Sequence, residues 1–170
     1  MRPEPPPELH RPVLVSRIGA DGLDVVVEAN EAERAALAAR MGLPAIASLT
    51  CRFELIRSTR DTVDAAGHLD AAVTQICVVS LEEFPGHIAE AFAVRFVPAG
   101  TETDDLDPES VDEIAYAGET IDLGEAAAEQ LALALDPYPR RPAADLPEHD
   151  AGTTDPRLAG LAGWRGGGRQ

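Results

Sequence analysis

Two cysteines and four histidines are the side chains of this sequence best suited to hold a metal ion or attack a substrate. Cys51, Cys77, His68 and His87 are soft or borderline ligands, and zinc takes such groups in sets of four at characteristic spacings. The spacing here fits no such set, because the residue three after Cys77 is Ser80, giving C-x-x-S. Buried thiols and surface histidines are therefore expected, with no metal and no cofactor. Ser80 also lacks the G-x-S-x-G turn that exposes a nucleophilic serine. Gly166-Gly167-Gly168 lies at the terminus, with no following helix to offer its N–H groups to a phosphate. Adjacent acids such as Glu82-Glu83 and Asp104-Asp105 are chance neighbours in a chain with 30 carboxylates. No catalytic residue is expected, and the reading is that of a protein that is not an enzyme.

Binding is the remaining chemistry. The end of the chain, W-R-G-G-G-R, sets the only tryptophan beside arginines on a flexible backbone. An aromatic plane next to positive charge suits stacking on single-stranded RNA bases. Arg140, Arg141, Trp164, Arg165 and Arg169 are the candidate RNA contacts, since no acid adjoins any of them in sequence. A tail without function is the competing reading. The net charge of −16 is unevenly spread. Residues 1–60 balance eight acids against eight arginines, while residues 99–136 hold twelve acids and no base. Phosphate needs positive charge, which the balanced N-terminal third and the basic tail leave available. An acidic stretch facing basic proteins is equally compatible with this distribution. No apolar run approaches the roughly 20 residues a membrane span needs. A soluble, cytoplasmic protein with reduced thiols is the expectation.

These groups need a scaffold. Residues 1–10, rich in Pro and Glu, read as a flexible lead-in. A single α+β domain is expected over 11–142, followed by a mostly disordered tail over 143–170 with room for a short helix at 157–164. Residues 13–17 and the alternating 23–29 read as strands, as do 49–55 and a long stretch, 63–77, that bends at Gly67. The turn is placed at E-F-P-G, residues 83–86, and the next strand at 87–97. Asn30 and Glu33 open a helix that Gly42 closes, near residues 31–41. A second helix, near 123–136, starts at Asp122 with Glu125 three residues on, and Pro137 stops it. Leu123, Ala127, Leu131, Ala134 and Leu135 make its apolar arc, and Glu125, Glu129 and Asp136 its polar one. Together these predict a curled antiparallel sheet of five or six strands, partly barrel-like, with the two helices covering one face or end. Residues 99–112 read as a solvated acidic loop.

The run I-D-L-G-E-A-A-A-E-Q-L-A-L-A-L-D-P-Y-P-R (121–140) resembles the C-terminal motif of the YceD family, the large ribosomal RNA subunit accumulation proteins. Its matching positions are Asp122, Leu123, Glu125, Glu129, Leu131, Leu135, Pro137 and Pro139. A second stretch, Q-I-C-V-V-S-L-E-E-F, is similar to the family's C-x-x-C-L-E-x-F and supplies Gln75, Cys77, Leu81, Glu82 and Phe84. The likeness extends over roughly residues 9–142, with the helix-like piece near the end of the sequence as a further candidate part. It implies a non-enzymatic accessory factor in the synthesis, processing or stability of large-subunit (23S) rRNA. The implied partners are ribosomal RNA, a large-subunit ribosomal protein, or both. The alternative is an acidic module that shields a basic ribosomal protein before assembly. Ser80 departs from the second cysteine of the motif, so no metal or redox property carries over.

Overall fold

The computed structural model describes residues 7–19, 21–59, 61–103 and 111–142. Strands β2 (Leu23–Glu28), β3 (Ala45–Arg57), β4 (Val63–Ile76) and β5 (Glu83–Pro98) follow one another as antiparallel neighbours. Their period-2 alternation sends Val27, Cys51, Phe53, Leu55, Leu69, Val73, Val94 and Phe96 into one core. A fifth strand, β6 (Asp112–Tyr116), completes the sheet beside β5. The α+β class and the five strands are as expected, and the sheet is open, ending at β2 and β6.

One pairing departs from the antiparallel expectation. β6 runs parallel to the last five residues of β5, Val94 opposite Asp112 and Pro98 opposite Tyr116. A parallel neighbour needs a crossover of about a dozen residues rather than a tight turn, and residues 99–111 supply it. The acidic stretch is thus a return connection as well as a charged one. Its central residues, 104–110, lie outside the described part, as does the whole of 143–170.

The β4–β5 turn also falls elsewhere than expected. Phe84 pairs with Gln75 and Glu83 with Ile76, so Pro85 and Gly86 are strand residues and the turn is formed by 77–82. Pro85 is tolerated because β6 covers only the far end of β5, and among the described residues no strand pairs with the outer side of this end. Gly67 faces both Phe53 and Phe92 in register. A Cβ there would sit 2.1 Å from the Phe92 ring, which instead packs edge-on to Phe53 with centroids 5.7 Å apart.

Among the described residues, two α-helices lie on the core. α1 (Glu31–Met41) has a full capping box, the Asn30 side chain accepting from Glu33 N–H and the Glu33 carboxylate from Asn30 N–H. Gly42 closes it at φ 67°, a left-handed turn that glycine adopts without strain. α2 (Leu123–Ala134) packs against β4 and β5. A short ribbon ties the chain start to that helix: β1 (Pro12–Leu14) pairs antiparallel with β7 (Thr120–Asp122). The expected strand over 13–17 is shorter, because a single 3-10 turn, Val15–Arg17, follows β1. Leu9, within the segment read as a lead-in, is fully buried.

Candidate functional site

The two motif segments, some 45 residues apart in sequence, are brought together at one end of the molecule. The strap that follows α2 runs past the β4–β5 turn, and Val78 N–H donates to Pro139 C=O at 2.9 Å. Arg141 then pairs with Glu82 at 2.8 Å, both side chains about half exposed. Gln75, Ile76, Leu135, Pro137 and Pro139 line one shallow groove with Met41 and Leu43 from the end of α1. A half-exposed ion pair contributes at most about 1 kcal/mol, so apolar contact and the backbone hydrogen bond set this geometry.

Asp122 positions the helix that carries the second motif. Its Oδ1 accepts from Gly124 N–H at 2.9 Å and Glu125 N–H at 3.4 Å, as an N-cap should. The same carboxylate accepts from Arg11 N–H and contacts the His10 ring. Glu125 does not complete a capping box. It pairs instead with Arg40 of α1 at 2.7 Å, and Glu8 joins the same guanidinium. Leu123 and Leu131 are fully buried and Leu135 partly so. Glu129 faces outward beside Glu125, and partial burial, then the charge of Glu125, pushes its carboxyl above the usual carboxylate range.

In the β4–β5 turn, Cys77 and Phe84 are buried, Gln75 is half-buried, and Leu81 and Glu82 are exposed. The turn closes by Leu81 N–H donating to Cys77 C=O and Cys77 N–H to Glu82 C=O, both at 2.9 Å. Leu81 takes φ 59°, a left-handed conformation uncommon for a side-chain-bearing residue. The Cys77 sulfur accepts from Ser80 N–H at 3.4 Å. The Ser80 hydroxyl, buried and otherwise without a partner, faces it. This hydroxyl, with the backbone N–H groups of Arg141, Ser80 and Val79, holds the thiol at about 6 rather than 9.0. Burial acts on Cys51 in the opposite sense and outweighs a backbone hydrogen bond from His68, pushing the thiol up to about 12. For Cys77 the sign follows directly: a depressed folded value adds stability that is complete above about 9 and lost as pH falls through about 6. Thermal melts should therefore show wild type gaining stability across that interval and Cys77→Ser gaining less. Parallel pH profiles would contradict the thiolate.

Of the sequence-predicted RNA contacts, Arg140 is exposed and has no ion pair among the described residues. Arg141 is committed to Glu82, a pairing that sequence adjacency does not reveal. Trp164, Arg165 and Arg169 lie outside the described part. Elsewhere Arg11 holds Glu33, Arg40 holds Glu8 and Glu125, and Arg95 holds Asp64. Among the described residues no group of three or more His, Cys, Asp or Glu could hold a metal ion. Nor is any helix there long and apolar enough to cross a membrane.

The family model for the large ribosomal RNA subunit accumulation protein YceD matches residues 65–163, more than half of the sequence. The chain belongs to this family. The match starts within β4, well after the likeness expected from residue 9, and continues beyond Pro142 almost to Trp164. It therefore covers the groove residues of β4 and of the strap, but not Met41 and Leu43, together with most of the tail. No curated protein and no solved structure matches the chain.

Proposed function

We propose that the chain is a non-enzymatic accessory factor in the synthesis, processing or stability of large-subunit (23S) rRNA, acting by stoichiometric contact in the cytoplasm. The observation that carries this is the family match over residues 65–163. Arg140, Arg165 and Arg169, with Trp164 as a stacking plane, are the proposed RNA contacts. Arg140 fits because it is exposed and has no ion pair among the described residues, whereas Arg11, Arg40, Arg95 and Arg141 are held by carboxylates. Such binding releases counterions, and each phosphate contact gives a slope near −0.7 in log affinity against log salt for single strands. The full-length protein should retain large-subunit rRNA fragments at low salt and release them steeply as salt rises. Replacing Arg140, Arg165 and Arg169 together by alanine should lower the slope by roughly 2. Retention that ignores both salt and the triple variant would exclude this contact.

The twelve acids and no base of residues 99–136 favour a second reading, in which the acid-rich chain shields a basic large-subunit ribosomal protein before assembly. In that case, replacing the acids of residues 102–112 by their amides should abolish the protein contact and spare RNA retention.

A further inference from the structure

Five large apolar side chains left exposed by the fold lie on two segments that meet. Ile76, Val78 and Leu81 belong to the end of β4 and its turn, and Leu133 and Tyr138 to the end of α2 and the strap; they are 44–77% exposed. Between these segments runs the groove of about 350 Å³ walled by Met41, Leu43, Ile76, Leu135, Pro137 and Pro139. Scattered exposed hydrophobics are ordinary, but a contiguous apolar surface around a concavity marks a contact site.

The chain itself carries a matching occupant. In P-R-L-A-G-L-A-G-W-R, Leu158, Leu161 and Trp164 recur every three residues, so about two helical turns would present all three on one side. We propose that residues 156–164 dock in this groove of their own chain, with Leu158, Leu161 and Trp164 as the apolar anchors. Reach favours this occupant. The last groove residue, Pro139, is three positions before Pro142, where the described chain ends. The sixteen residues from there to Leu158 span roughly 22 Å as a flexible coil, from about 5–6 Å times the square root of their number. A tether that short holds the segment at an effective concentration on the order of millimolar, above what a second copy reaches in solution.

Charge agrees with it. The last turn of α2 carries no basic side chain, so the negative end of the helix is uncompensated, and Asp136 lies in the groove wall. Arg157 and Arg165 flank the apolar triad on either side and suit such an environment. The family match spans the groove residues Ile76, Leu135, Pro137 and Pro139 and this segment as far as residue 163. A Trp164 ring packed in the groove is not free to stack on a base, so the docked and RNA-bound tails are alternative states.

Trp164 is the only tryptophan, which makes its fluorescence a direct report. The measurement is quenching by acrylamide, a neutral quencher insensitive to the protein's charge, in the full-length protein and in a peptide of residues 143–170. The expected result is several-fold weaker quenching in the protein, independent of concentration. Ile76→Glu in the groove wall and Leu161→Glu in the tail should each raise quenching to the peptide's level and shift emission to the red. Leu161→Glu leaves the folded body untouched, and an unchanged far-ultraviolet spectrum shows that Ile76→Glu is folded. Quenching equal to the peptide's in wild type would overturn the proposal. So would protection that survives Ile76→Glu, which would put the ring elsewhere. Protection that grows with concentration alongside a doubled mass would assign the groove to a second copy instead.

Discussion

Leu131→Ala is expected to destabilise the protein by about 2–5 kcal/mol, the range for truncating a buried leucine that leaves a cavity. Leu131 is 0% exposed on the inner face of α2, within the single core cluster. At roughly 2–4 °C per kcal/mol for a chain of this size, the melting temperature should fall by about 4–20 °C. Leu133, two residues on and 73% exposed, is the control: its replacement by alanine should stay within about 0.5 kcal/mol. The pair tests the orientation of the helix rather than its propensity, since leucine and alanine are both good helix formers. Equal effects at the two positions would mean that α2 does not clamp the sheet as described.

Gly124→Ala is expected to cost about 1–3 kcal/mol or more, although alanine is the better helix former by about 1 kcal/mol. A Cβ at Gly124 would stand 2.4 Å from the carbonyl oxygen of Leu9 and 2.9 Å from the backbone nitrogen of Arg11. Backbone cannot swing aside as a flexible side chain can. The segment 9–11 must lift from the helix, and it carries with it the Arg11 N–H bond to Asp122 and the burial of Leu9. Denaturant melts should show the loss, and limited proteolysis should show earlier cleavage near residue 9. An alanine variant as stable as wild type would mean that this segment is not seated on α2.

Much of the scaffold was legible because its determinants are local. Asn30, Glu33 and Gly42 write both ends of α1 within a dozen residues, and Asp122 caps α2 as its position implies. The alternation in β3 and β4 identifies their buried faces without reference to any partner. What was not legible depended on distant pairing. Nothing in residues 112–116 distinguishes a parallel neighbour of β5 from a hairpin arm. Pro85 and Gly86 carry turn chemistry, yet they are held in a strand by Thr74 and Val73 across the ladder. Gly124 resembles a weak point in a helix, and only the passage of Leu9 over it explains the missing side chain. For the site, the motif residues were named from resemblance, but their meeting was not. The contacts of Val78 with Pro139 and of Arg141 with Glu82 join segments that share no local signal.

The measurement that bears most directly on the proposed role is the ratio of large- to small-subunit rRNA in cells depleted of this protein. Depletion is expected to lower large-subunit rRNA relative to small-subunit rRNA. Re-expression of the wild type should restore the ratio, and of Leu131→Ala only in proportion to the folded protein that remains. A ratio unchanged by full depletion, with the protein verifiably absent, would contradict a role in large-subunit rRNA accumulation.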